Sequence, residues 1–172
     1  GPNRFEVRVY DRAGNVSDPL PYSWTIDSTV PSVEILSGPA AFSKDPKGTF
    51  TFRGFDGTTP ITKFQCKVDS GAYANCVSGM QTAALIDGPH TFYVKGIDNA
   101  GNESAPASYA WVIDTVAPIV NITTKPAAKS RVRVGEIFFT ATDERSGIKD
   151  IKCSINNGAS YVDCITKFPY NL

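Results

Sequence analysis

The sequence has almost no histidine. His90 is the single example in 172 residues, so the side chain that most often carries protons in catalysis is nearly missing. No Gly-x-Ser-x-Gly elbow, P-loop or His-Glu-x-x-His motif accompanies it. Net charge is also lacking: 17 Lys and Arg balance 17 Asp and Glu, which leaves no basic field for nucleic acid or an anionic membrane. No run of about 18 apolar residues is available to cross a bilayer. No stretch of 11 or more residues shows convincing helical periodicity. A signal-peptide pattern is not visible, and because the chain starts in mid-pattern this carries nothing about export. These absences point away from an enzyme, a nucleic-acid binder and direct membrane insertion.

What is present is apolar, aromatic and punctuated. Apolar residues make up 41%, with 10 Phe, 7 Tyr and 2 Trp, enough for packed cores, while 14 Gly and 12 Pro recur at intervals along the chain. That pattern favours short strands joined by turns. The chain also repeats itself. Residues 1–35 align without a gap on residues 88–122, an offset of 87. Phe5 meets Phe92, Asp11 meets Asp98, Trp24 meets Trp111, Asp27 meets Asp114 and Pro31 meets Pro118. The register continues through Asp56 and Asp143, and Cys66 and Cys153, until one inserted residue moves the partner of Cys76 to Cys164. A repeat of this length is too long for a solenoid unit and suits a seven-stranded sandwich.

Strands are predicted where apolar and polar residues alternate: 5–9, 22–26, 33–35, 49–52, 61–68, 73–77 and 91–94. Gly88-Pro89 is expected to form a turn. The connections Asp27-Ser28-Thr29-Val30-Pro31 and Asp114-Thr115-Val116-Ala117-Pro118 each end on a proline, which belongs at a strand start. The expected fold is all-β, with tandem immunoglobulin-like β-sandwich modules arranged end to end. Residues 1–29 would hold the last two strands of a module, 30–115 a complete module, and 116–172 the first strands of another. Two explanations stand side by side. The chain is a portion of a longer repeat array, or residues 116–172 of one copy are completed by residues 1–29 of the next. The second would be head-to-tail and would build a filament or ring. Completion within one chain is disfavoured, because the intact module would hold the halves roughly 35–45 Å apart by strand geometry.

The four cysteines fall in two pairs, Cys66 with Cys76 and Cys153 with Cys164. A zinc signature is missing, and each pair brackets a hairpin. Three-residue loop 70–72 would place Cys66 opposite Cys76. Loop 157–160 would place Cys153 opposite Cys164. Both pairs are read as disulfides, each stabilising by roughly 2–3 kcal/mol and persisting only in an oxidising compartment.

Repeated aspartates form the one constellation with chemical promise. Asp11 and Asp98 precede Ala-Gly-Asn in a turn, Asp27 and Asp114 sit at module exits, and Asp56 and Asp143 end a strand. Interdomain calcium would want such hard oxygens. The plainer reading is that Asp caps turns by accepting from nearby backbone amides. His90 is read as structural. Tyr73, Tyr161, Phe168 and Tyr170 could form a binding face, with hairpin packing the favoured role. Asn15, Asn102 and Asn121 open formal glycosylation sequons that matter only in a eukaryotic source.

Two duplicated motifs, Asp-x-Ala-Gly-Asn and Trp-x-Ile-Asp-[Ser/Thr]-x-x-Pro, with the Cys hairpin between them, resemble bacterial Ig-like (Big-type) repeats of large surface proteins and adhesins. The resemblance covers essentially the whole chain. It implies stalks, adhesins or fibre segments outside the cell, some carrying calcium at module junctions, where Asp11, Asp27, Asp98 and Asp114 fall in comparable positions. The Cys pairs depart from the cysteine-free adhesin repeats. A filament or spacer is expected first and a ligand-binding adhesin segment second, because the two repeats differ in length by one residue and carry no distinctive insertion.

Overall fold

Short alternating segments cut by Gly, Pro and Asn satisfy their backbone groups by pairing across the chain. The computed structural model accordingly has strands and, among the described residues, no helix. It describes residues 1–57, 59–127, 129, 131–155 and 158–171. The strands begin with β1 (Pro2–Val7), β2 (Leu20–Thr25), β3 (Ser32–Ser37), β4 (Phe42–Ser43) and β5 (Thr49–Phe55). They continue with β6 (Ile61–Val68), β7 (Ala74–Cys76), β8 (Met80–Gln81), β9 (Gly88–Asp98) and β10 (Ala107–Ile113). The last are β11 (Ile119–Thr124), β12 (Val134–Thr142), β13 (Lys152–Cys153), β14 (Val162–Asp163) and β15 (Lys167–Asn171). Internal contacts divide the chain into two units. One comprises Gly1–Pro39, Gly48–Thr82 and His90–Ala110, the other Ala40–Lys47, Ala83–Pro89 and Trp111–Leu172.

In the first unit β1 and β2 form an antiparallel hairpin that sets Phe5 opposite Tyr22 and Asn3 opposite Trp24. The rest is a β-sandwich. A sheet in the order β3-β5-β8 lies against a sheet in which β10, β9, β6 and β7 are neighbours in that order. Alternation along β5 and β9 sends Phe50, Phe52, Phe92 and Val94 inward, where they are buried. The Phe50 and Phe92 rings stack across the layers at 4.0 Å, and Tyr109 meets Phe50 edge-on at 5.8 Å. Tyr109 also covers Gly38, where an added Cβ would lie 2.8 Å from the ring, and its hydroxyl donates to the Pro39 carbonyl at 2.6 Å.

The second unit repeats the pairing logic. Its three-stranded sheet runs β11-β12-β15, beside a small β13-β14 hairpin. Ile137 pairs with Phe168 as Phe50 pairs with Met80, and β11 skips a residue between Ile122 and Thr124 as β3 does between Ile35 and Ser37. The bulge thus recurs at the same place in the repeat.

Several expectations change. The two-residue strands β4 and β8 carry no alternation to be read. β4 exists because β10 runs parallel to it, with Val112 and Ile113 beside Phe42 and Ser43. Gly88-Pro89 is no turn but the start of β9, where Gly88 takes φ 140°. Both disulfides form, with Cα–Cα separations of 5.8 and 6.0 Å, but neither joins directly opposed residues. Cys66 faces Ala74 while Phe64 faces Cys76, and Cys153 faces Val162. The reason in the first hairpin is Asp69. It takes a left-handed φ of 51°, its N–H donates to the Thr91 carbonyl, and its carboxylate accepts from the Thr91 N–H. Tied to β9, it pulls the turn one residue earlier, to 69–71. The bonds then run along the hairpin diagonal that right-handed twist shortens. Of the second loop, Asn157 lies outside the described residues, as does Leu172 at the chain end.

Candidate functional site

The repeated aspartates serve two turn types, and hydrogen bonds decide what each does. In the β9–β10 turn, Asp98 accepts from the Asn102 N–H at 2.8 Å and the Asn102 amide at 2.9 Å, while Gly101 takes φ 96°. The isolated β1–β2 hairpin builds the same turn. Asp11 accepts from the Asn15 N–H at 2.8 Å and its side-chain amide at 2.7 Å, with Gly14 at φ 92°. Local sequence alone therefore makes this turn, whatever surrounds it.

The linker aspartates are gripped from outside. Asp27 accepts from the Thr29 N–H at 2.9 Å and the Thr59 hydroxyl at 2.6 Å, and its carbonyl accepts from the Asn102 amide at 3.1 Å. Thr59 also donates its N–H to Asp56 at 2.9 Å. Carboxylate oxygens of Asp27, Asp56 and Asp98 converge within 4.8 Å of one another. In the second unit Asp114 accepts from the Val116 N–H at 3.1 Å and the Ser146 N–H at 3.0 Å. Asp143 caps its own turn, accepting from the N–H groups of Arg145, Ser146 and Gly147.

These bonds favour the ionised form of Asp11, Asp27, Asp98 and Asp114. The Thr59 hydroxyl and the Thr29 N–H hold Asp27 below the usual carboxylate range, and the Asn15 amide does the same for Asp11. Burial pushes Asp98 upward, but the bonds from Asn102 and Gly101 outweigh it and the net shift is down. Ser146 lowers Asp114 against the opposing effect of burial.

The four aspartates expected at calcium junctions thus separate. Asp27 and Asp98 come together with Asp56, Asp114 lies with Ser146 and Asp143, and Asp11 stays in its own turn. The donor set around Asp27 is the hard oxygen type that calcium takes. Oxygens of Asp27 and Asp98 already accept from Thr59 and Asn102, so the geometry is that of a clasp holding a linker to two loops. Thr59 and Asn102 were not read as site residues. Their signal was the repeat itself, since Ser146 and Asn15 stand at the same offset with the same chemistry.

His90 is buried and its Nδ1 lies 2.8 Å from Asp69. Burial raises Asp69, the bonds from His90 and Thr91 lower it, and the net direction is down. Of the four aromatics, Tyr170 is buried, Tyr73 and Phe168 are half-buried and only Tyr161 is exposed. Tyr73 lies under the Lys67 and Lys95 ammonium groups at 5.1 and 4.9 Å. This is hairpin packing, not a shared face.

The larger anomaly is apolar. Phe5 is 56% exposed whereas its repeat twin Phe92 is 0% exposed, and Trp24 is 42% exposed against 2% for Trp111. Tyr22, Val7 and Ile26 are exposed as well. In the second unit a groove of about 220 Å³ opens between Val120, Ile122, Ile137, Phe139, Ile151 and Phe168. Four of these are twins of Val33, Ile35, Phe50 and Phe52, which lie on the two strands facing β9 in the sandwich. Residues 148–155 correspond to β6, which pairs with β9 along its length, yet only Lys152–Cys153 is strand here. No protein-family model and no curated protein matches the chain.

Proposed function

We propose that the chain is a non-catalytic structural module that assembles head-to-tail into a filament, stalk or fibre outside the cell. The β1–β2 hairpin of one copy would enter the open groove of the next. The observation that carries this reading is the contrast between twins: Phe5 and Trp24 stand in solvent while Phe92 and Trp111 fill a core. An exposed apolar face of this kind marks an interaction surface. Phe5, Tyr22 and Trp24, at 56%, 67% and 42% exposure, can each still bury roughly half of the 150–250 Å² such a side chain offers. β1 would also pair with residues 148–155 as β9 pairs with β6, which is strand addition to an open edge.

The two disulfides belong to an oxidising environment. Together with the resemblance to bacterial surface repeats, they support a place on a bacterial surface or beyond it. The non-catalytic reading is supported by the bonding of the repeated aspartates to turns and linkers and of His90 to Asp69. Sedimentation of the purified chain across a concentration series tests the proposal. A ladder of oligomers is expected. A monomer at every concentration refutes self-assembly.

A further inference from the structure

The closed clasp and the open one differ by a single missing grip. At Asp27 the clasp is complete: Thr59 holds the carboxylate and the Asn102 amide holds the carbonyl. At Asp114 a grip on the carboxylate is present too, made by the Ser146 backbone N–H at 3.0 Å where Thr59 uses its hydroxyl. The second grip, on the carbonyl, is not. Among the described residues, the Asp114 carbonyl accepts no hydrogen bond of the kind Asn102 supplies.

Asn15 is the repeat twin of Asn102, and it is already shaped for that role. Both turns close with nearly the same lengths. Asp11 N–H to Asn15 carbonyl is 3.0 Å against 3.1 Å for Asp98 and Asn102, and Gly14 N–H to Asp11 carbonyl is 3.2 Å against 3.4 Å. Asn102 spends one amide donor contact on Asp98 and another on the Asp27 carbonyl. Asn15 has the first contact, to Asp11, and its side chain is exposed.

We infer that the β1–β2 turn of one copy latches onto the Asp114 linker of the next, with Asn15 donating to the Asp114 carbonyl and Asp11 settling beside Ser146. This rests on the head-to-tail reading above and adds to it the residues that set register. The apolar face supplies most of the affinity but is tolerant of sliding, whereas a directional bond from a preformed turn is made at one depth and one orientation. Preformation also spares the ordering cost that a flexible loop would bring to the joint. The partner is thereby a second copy of this chain: a matching hairpin face alone does not suffice, because the turn must also carry Asp-x-Ala-Gly-Asn at its tip.

The test compares full-length variants by sedimentation and by melting of the dilute monomer. Asn15→Ala is expected to weaken assembly about fivefold, the worth of one net hydrogen bond, with the melt of the sandwich unchanged because the Asp11 bond it also removes lies within the hairpin turn. Asn102→Ala, the same change in the closed clasp, is expected to lower the monomer melt and leave assembly alone. Ser146→Ala keeps the backbone grip on Asp114 and removes the hydroxyl beside which Asp11 settles, so it is expected to weaken assembly too. Each joint of an Asn15→Ala, Ser146→Ala double variant carries both changes, so a combined loss smaller than the product of the singles shows that they act on one latch. Trp24→Ser tests the underlying reading and is expected to abolish assembly. If Trp24→Ser abolishes assembly and Asn15→Ala does not weaken it, the latch is wrong and the head-to-tail reading stands. If the two single effects multiply, the latch is wrong as well. If Trp24→Ser assembles like the unaltered chain, both fall.

Discussion

The sharpest prediction compares the same substitution at twin positions. Phe92→Ala removes a fully buried ring that stacks on Phe50 at 4.0 Å. A buried Phe→Ala change costs about 3–5 kcal/mol, transfer and cavity terms together. A domain of this size loses about 4–8 °C per kcal/mol, so the melting midpoint should fall by at least about 12 °C, a large part of typical total stabilities of about 5–15 kcal/mol being lost. Phe5→Ala removes the identical side chain from a hairpin face that is 56% exposed. At concentrations where the chain is monomeric its cost should stay within about 0.5 kcal/mol, as for other surface changes. Its effect appears only on association. Losing one buried Phe at the joint removes about 1.5–3 kcal/mol, a weakening of roughly 10- to 150-fold. Circular dichroism melts on dilute samples, paired with sedimentation on concentrated ones, separate the two effects. If Phe5→Ala destabilises the dilute chain as much as Phe92→Ala does, the hairpin is packed into a core of its own and the reasoning from exposure fails.

Other consequences can be checked with the same material. Replacing Cys66 and Cys76 by Ala opens an 11-residue ring, and the loop-entropy relation puts the loss at about 3 kcal/mol; a melt unmoved by reductant would contradict this. Asp27, Asp98 and Asp114 have folded pKa values below their unfolded ones, so their stabilisation is complete above the unfolded value of about 3.9 and is lost as pH falls through the folded values. The acid limb of the stability profile should therefore lie below about pH 5 and become shallower in Asp98→Asn, whereas an unchanged limb would show that Asp98 titrates alike in both states. Gly38→Ala should lower stability by about 1–3 kcal/mol in urea melts, because the new methyl meets the Tyr109 ring rather than the end of a flexible chain. Millimolar calcium is expected to leave the melting midpoint in place, since Thr59 and Asn102 already bond to oxygens of Asp27 and Asp98; a rise reversed by chelator would show a cation displacing them.

Much of this was legible in the chain itself. Alternation placed β6 at 61–68 without error, because a half-buried strand must put apolar residues on one face whatever its partner. The duplicated Asp-x-Ala-Gly-Asn predicted a turn that forms even in the isolated hairpin, since its hydrogen bonds all lie within five residues. The cysteine spacing paired the right residues for the same local reason.

Tertiary structure alone decided what depends on distant partners. The register of the Cys66 hairpin follows from Asp69 bonding to Thr91, a contact to another strand that no period-2 pattern records. β4 became a strand because β10 passed beside it, and Asp56 joined Asp27 and Asp98 because loops 32 or more residues apart converge on one linker. The burial of Phe92 against the exposure of Phe5 is the clearest instance. Two segments with the same pattern have opposite environments, because side-chain periodicity specifies which face is apolar and only the presence of an opposing sheet specifies whether that face is covered.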